Sequence, residues 1–205
     1  MSSELKYSIA ETFYSLKGEG LWTGTAMFFV RLSGCNLNCV WCDTDHGMTS
    51  FRTAKSLVEE ALQHPSRRVV ITGGEPTLQD LRPLQWEFKE ARFKLHLETN
   101  GTGEINSYWD WVAVSPKTTR ALIHQSTHNY ADEVKFICGM EGWKEVMTQN
   151  FHLFRKAKKL LMPLAPGLPE RNSLSQENIN LSIETCKGNP DLQLCMQMHK
   201  VWGIK

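Results

Sequence analysis

Arg68-Val69-Val70-Ile71-Thr72-Gly73-Gly74-Glu75-Pro76 reads as a short buried strand that stops on a glycine pair. β-Branched residues fill the run and a Gly-Gly-Glu-Pro turn ends it. On either side the period changes. Before the run, Thr53 to Gln63 places apolar residues at Ala54, Leu57, Val58, Ala61 and Leu62, a helical spacing, and Leu81 to Ala91 behaves the same way after it. Helix, strand and helix in succession are the repeating unit of a parallel α/β sheet.

The unit recurs along the chain. Further strand-like runs fall at Met27 to Leu32, Phe93 to Leu97, Trp111 to Val114, Glu133 to Cys138, Leu160 to Met162 and Leu192 to Met196, with helical segments at Trp143 to Lys158 and Ser175 to Cys186. Strands alternating with helices imply parallel pairing through right-handed crossovers. A closed eight-unit barrel takes about 250 residues, and this chain has 205. The expected fold is therefore α/β, a partial TIM-like parallel barrel in one domain over residues 1–205. The Pro-rich stretch from Met162 to Pro169 reads as a loop.

Composition narrows the function classes. Hydrophobic residues make up 41% and charged residues 22%, and the formal net charge is +1. So even a balance gives no field for a nucleic-acid backbone. Without a long apolar run or a leader pattern, no membrane role is expected and the location reads as cytoplasmic. One basic cluster, Arg155, Lys156, Lys158 and Lys159, is expected in the last turn of a helix, where cations complement the dipole.

Six cysteines permit three disulfides on paper, but three of them crowd into the eight residues from Cys35 to Cys42, and reduced thiols fit better. Cys138, Cys186 and Cys195 sit among apolar residues and read as small buried hydrophobes. The segment Gly34-Cys35-Asn36-Leu37-Asn38-Cys39-Val40-Trp41-Cys42-Asp43 follows a predicted strand directly. Its C-x3-C-x2-C spacing supplies three thiolates from one loop. A structural zinc wants four closed ligands, and His46 is the nearby candidate to complete a Cys3His set. A four-iron cluster held by three cysteines keeps one iron open to bind a small molecule, and cluster potentials reach about −700 mV.

Other polar motifs also follow predicted strands: Thr72-Gly73-Gly74-Glu75-Pro76, Glu98-Thr99-Asn100-Gly101 and Ser115-Pro116-Lys117. Each alone suits an ordinary turn. Together they lie at the carboxyl ends of strands, where parallel α/β folds place their chemistry.

The cysteine spacing, with Trp41 before the third cysteine, resembles the radical S-adenosylmethionine superfamily. Phe13 to Gly20, Phe29 to Leu32, Cys42-Asp43-Thr44, the strand-end motifs and Gln197-Met198-His199-Lys200 together resemble the 7-carboxy-7-deazaguanine synthase family, over nearly the whole chain. The resemblance implies a lyase that contracts the ring of 6-carboxytetrahydropterin with loss of ammonia, on the route to queuosine and related deazapurines. It implies a [4Fe-4S] cluster on Cys35, Cys39 and Cys42, S-adenosylmethionine, and Mg²⁺ at Thr44.

Around S-adenosylmethionine the resemblance places Trp41, Gly74, Glu75, Ser115, Pro116 and Lys117, with Met162, Pro163, Leu164 and Ala165 on the far strand. Around the pterin it places Leu16, Lys17, Gly18, Glu19, Arg31, Thr72, Gln197, His199 and Lys205. Glu19 would accept from the amino-pyrimidine edge, and Arg31 would hold the substrate carboxylate with a planar fork. Lys17 and Met162 stand where the family usually has glutamine, and Lys205 where proline is common. A reductant protein such as a flavodoxin or ferredoxin and a homodimer are also implied. Two rivals remain: a radical enzyme that generates a glycyl radical on a partner protein, and a metal-stabilised module without turnover.

Overall fold

The structure is a computed structural model; it describes residues 5–165 and 175–205. The Pro-rich stretch therefore divides. Met162 and Pro163 belong to a strand, Leu164 and Ala165 leave it without regular structure, and residues 166–169 lie outside the described residues.

Among the described residues nine strands form one sheet: β1 (Lys6–Leu16), β2 (Ala26–Leu32), β3 (Ser50–Thr53), β4 (Arg68–Gly73), β5 (Lys94–Thr99), β6 (Trp111–Val114), β7 (Glu133–Cys138), β8 (Lys158–Pro163) and β9 (Leu192–Leu194). Their order is β3-β1-β2-β4-β5-β6-β7-β8-β9, with β3 and β9 as the open ends. From β2 to β9 every neighbour is parallel. This is the expected partial barrel, with an antiparallel extension at one end, since β1 pairs antiparallel with both β2 and β3.

Helices α1 (Ala54–Ala61), α2 (Arg82–Glu90), α3 (Gln125–Tyr130), α4 (Trp143–Phe151) and α5 (Gln176–Gly188) connect the parallel strands, and α6 (Met198–Trp202) follows β9. The α1 cap shows why the chain turns where it does. Thr53 is extended and its Oγ1 accepts from the Ser56 N–H at 3.2 Å. From there Ala54, Leu57, Val58 and Ala61 fall on one buried stripe. Burying the Leu57 and Val58 side chains contributes roughly 1.5–3 kcal/mol each.

Alternation along the strands separates two faces. Val69 and Ile71, Leu95 and Leu97, and Val134 and Phe136 join the main core. On the other face His96, Glu133 and Lys135 are buried but polar, and Glu98 is half-buried beside them. A barrel interior normally packs branched apolar side chains; this one is partly ionic, which marks it as the working side.

Two sequence expectations are corrected. The helix expected to reach Lys158 ends at Phe151, so the basic cluster caps no helix: Arg155 and Lys156 lie in a turn, while Lys158 and Lys159 open β8. Phe154 and Ala157 are both buried, and their three-residue spacing imitates a helical stripe while the chain in fact turns into the core. The strand expected over Leu192 to Met196 stops at Leu194.

Candidate functional site: a thiol loop and an ionic cavity

After Leu32 the chain leaves β2 and crosses over the carboxyl edge of the sheet. Gly34 turns it, with φ of 86° and an N–H that donates to the His46 carbonyl at 3.1 Å. Cys35, Cys39 and Cys42 are free and half-buried on this loop. The Cys42 N–H donates to the Cys39 carbonyl at 3.0 Å. Burial pushes the Cys39 thiol up; Lys117 opposes the rise, and the neighbouring Cys42 and Cys35 add to it.

The loop is seated on β4. The Gly74 N–H donates to the Leu32 carbonyl at 3.2 Å, and the Glu75 N–H to the Gly34 carbonyl at 2.9 Å. A Cβ at Gly74 would lie 2.1 Å from the Gly34 oxygen and 2.8 Å from Cys35 Cβ. The glycine thus lets two backbones touch beneath the first thiol.

Glu75 braces the same corner. Its carboxylate, only 1% exposed, accepts from Thr77 N–H at 3.0 Å, Thr77 Oγ1 at 2.7 Å, Thr99 Oγ1 at 2.7 Å and Asn100 N–H at 2.7 Å. Asn100 Nδ2 in turn donates to Asn36 Oδ1 at 3.0 Å, on the thiol loop. Four donors satisfy this buried charge, so it spends its capacity on its own chain.

The thiol loop opens onto a cavity of about 880 Å³. Cys35, Cys39, Cys42, Trp41, Thr44, Gly74, Ser115 and Lys117 line it, as do Met162, Pro163, Leu164 and Ala165. Leu16, Lys17, Gly18, Glu19, Arg31, Thr72, Gln197, His199 and Lys205 line it too. Glu75 and Pro116 do not; they stand behind the wall. Lys117 Nζ sits 5.4 Å from the Trp41 ring centroid and donates to Ser115 Oγ at 2.8 Å. Burial lowers its ammonium, and the charge of Lys135 adds to that.

A chain of ion pairs forms the charged part of the wall. Lys135 Nζ donates to Glu19 Oε2 at 2.8 Å and to Glu98 Oε2 at 2.7 Å, and Lys17 Nζ meets Glu98 Oε1 at 2.6 Å. Gln197 Nε2 donates to Glu19 Oε1 at 2.8 Å and to Asp43 Oδ2 at 3.1 Å, where Lys200 Nζ also donates at 2.9 Å. Burial alone would raise the Glu19 carboxyl; Lys135, Lys17 and His199 outweigh it and hold the group well below the usual range. Glu98 is lowered by the same two lysines against the same burial. Lys135 goes the other way: burial disfavours its charge, but Glu19, Glu98 and Glu133 hold it well above the ordinary lysine value.

Sequence reasoning assigned no role to Lys135, Asp43, Glu98 or Lys200. One sign was available: Glu133 and Lys135 put two charges on alternate positions of an otherwise apolar strand.

Arg31 Nε donates to Glu11 Oε1 at 2.9 Å. Lys205 Nζ reaches the other Glu11 oxygen, and Ser15 Oγ donates to the Lys205 carbonyl at 2.6 Å. His199 packs on Gly18, where a Cβ would lie 2.2 Å from its Nδ1, and the Met198 N–H donates to the Gly18 carbonyl at 2.8 Å. Thr44 Oγ1 donates to Asp43 Oδ1 at 3.3 Å.

Among the described residues, no group of three or more His, Cys, Asp or Glu side chains gathers as a metal ion would require, so His46 does not complete a Cys3His set with the three thiols. The thiols instead share one half-exposed loop around the mouth of a cavity. That donor set suits a cluster, whose thiolates bond separate irons.

The fold and this thiol loop define a radical SAM protein, and the sequence profile of the Radical SAM superfamily matches residues 29–173. Proteins of that superfamily work with a [4Fe-4S] cluster and S-adenosylmethionine. Within it the chain belongs to the 7-carboxy-7-deazaguanine synthase family. It is 35% identical to the Synechocystis protein of that name, over 98% of this chain and 95% of the relative. It is 31% identical to the Escherichia coli K12 protein of that name, over 98% and 100%. The crystal structure of QueE from Escherichia coli superposes with a TM-score of 0.79 at 29% identity, covering 95% of each chain.

Proposed function

We propose that this chain is a radical SAM lyase that converts 6-carboxytetrahydropterin to 7-carboxy-7-deazaguanine with loss of ammonia, in queuosine and 7-deazapurine biosynthesis. The observation that carries the reading is that one cavity holds both the three-thiol loop and a set of paired charges able to fix a small polar anion.

Cys35, Cys39 and Cys42 would hold the cluster, and Trp41, Gly74, Ser115, Lys117 and the Met162–Ala165 stretch would surround S-adenosylmethionine. When bound, these two groups supply a 5′-deoxyadenosyl radical. The protein's own work is to hold, orient and shield. Lys117, half-buried and donating to Ser115, is a fixed cation beside the thiol loop. Met162 has no side-chain donor, so its part would fall to its backbone. Glu75 and Pro116 act from behind the wall.

Arg31 spends Nε on Glu11, which leaves the outer guanidinium nitrogens to grip the substrate carboxylate as a fork. Glu19 faces the amino-pyrimidine edge. Leu16, Lys17, Gly18, Thr72, Gln197, His199 and Lys205 complete the pterin enclosure, and enclosure matters because a reactive group must find its target before water or protein. The Thr44 hydroxyl, beside Asp43, would bind Mg²⁺, a hard ion that takes oxygen ligands and keeps several waters.

No helix among the described residues is long and apolar enough to cross a membrane. We read the protein as one cytoplasmic domain, a homodimer reduced by a flavodoxin or ferredoxin and independent of nucleic acid and membranes.

Anaerobic reconstitution followed by incubation with S-adenosylmethionine, reductant and 6-carboxytetrahydropterin tests the reading. The deazaguanine product should form, and Cys39→Ala should abolish it. Substantial product from Cys39→Ala, or stoichiometric zinc in place of iron and sulfide in oxygen-protected protein, would sink it.

A further inference from the structure

Lys135 lies at the middle of β7, a strand whose every residue is buried, and is itself 2% exposed. Its backbone carbonyl accepts from Ser115 Oγ at 3.0 Å, which ties it to the end of β6. Its ammonium bridges two carboxylates that come from distant parts of the chain, Glu19 and Glu98. Glu98 is fixed on its far side by Lys17, so it is a rigid anchor rather than a loose counter-ion.

Glu19 is then held at both oxygens, Oε2 by Lys135 and Oε1 by Gln197. An ionised carboxylate has about four acceptor sites. Two are filled, and one remains on each oxygen. Two parallel acceptors are what a pair of adjacent N–H donors needs, as when a carboxylate meets a guanidinium.

We propose that Lys135 is a positioning residue for substrate: its ammonium, anchored by Glu98, clamps Glu19 so that the two remaining acceptor sites meet the paired N–H donors of a pterin's amino-pyrimidine edge. The proposal rests on the reading of the cavity as a pterin site. Lys135 itself touches Glu19 and Glu98, and acts on the substrate through Glu19.

The test measures the dissociation constant of 6-carboxytetrahydropterin on anaerobically reconstituted holoenzyme, for wild type, Lys135→Met, Glu19→Gln and the double variant. Lys135→Met should weaken pterin binding tenfold or more and raise KM by a similar factor. Its kcat should stay within a few-fold, with iron content and S-adenosylmethionine affinity unchanged. The double variant should bind no more weakly than Glu19→Gln alone, since both changes act on one contact.

The acid limb of pterin binding should also move to higher pH in Lys135→Met. Glu19 would then face Lys17, Lys117 and His199 as attracting groups and Glu98, Asp43 and the Cys195 thiol as repelling ones, without its nearest cation. Pterin affinity retained in Lys135→Met, or losses that simply add in the double variant, overturns the role of Lys135. Should Lys135→Met fail to fold or to hold iron, Lys135→Gln is judged by the same two criteria. A wild-type enzyme that neither binds nor turns over the pterin overturns the functional reading instead.

Discussion

A methyl group at position 74 has nowhere to go, because the nearest atoms are the backbone of Gly34 and the Cβ of Cys35. Backbone cannot swing aside as a long side chain can, so Gly74→Ala must lift the thiol loop off β4. We expect that variant to lose most of its iron after anaerobic reconstitution while its fold, by far-ultraviolet circular dichroism, stays intact. Iron content equal to wild type would show that the loop tolerates the shift. The family resemblance sets Gly74 beside S-adenosylmethionine; the chain's own loop is a second neighbour that only the fold reveals. The thiols were legible because one cluster needs ligands spaced along one loop. Lys135 was not, since Glu19 and Glu98 lie 116 and 37 residues away in sequence and reach it only through sheet pairing and the turn after β1.

Among the elements, α6 is small and decisive. It contributes nothing to the apolar core, yet it brings His199 onto Gly18, sets the Lys200 side chain, only 3% exposed, against Asp43, and follows Gln197, which reaches Glu19 and Asp43. Gly18→Ala should therefore displace the His199 ring and raise KM for the pterin several-fold. The melting temperature should move little, because almost no apolar area is at stake. Steady-state kinetics beside a thermal melt decide this, and a large drop in melting temperature with unchanged KM would contradict it. The parallel strands were readable as elements because their apolar runs are short and continuous between turn residues. β1 was not. Its Lys-Tyr-Ser-Ile-Ala-Glu-Thr-Phe-Tyr-Ser-Leu run mixes polar and apolar residues, and a register shift between Ile9 and Glu11 breaks the alternation that marks a half-buried strand.

For the molecule as a whole, stability and pH are tied through the ionic wall. Glu19, Glu98, Asp43, Glu11 and Asp110 all have carboxyls held below their ordinary values despite burial. A lowered folded-state value means that the stabilisation is present above the unfolded value, near 4, and is lost as pH falls through the folded one. Glu133 and Asp132 oppose this: burial raises both carboxyls, so their contribution is present below the unfolded values and fades as pH rises through the folded ones. Five groups outweigh two. The melting temperature should begin to fall below about pH 6.5, where the unfolded chain protonates its histidines while buried His96, pushed down to about 4, stays neutral, and drop steeply below about pH 4; a scan that stayed flat to pH 3 would contradict the pairing described.

The bed on which Gly34, Cys35 and Asn36 rest is complete by Thr102, whereas Glu19, the acid proposed to meet the pterin, waits for Gln197. During synthesis from the amino end, the support of the thiol loop is therefore laid down well before Glu19 gains its Gln197 partner, so the two halves of the proposed site can be completed at different moments in the life of a single polypeptide.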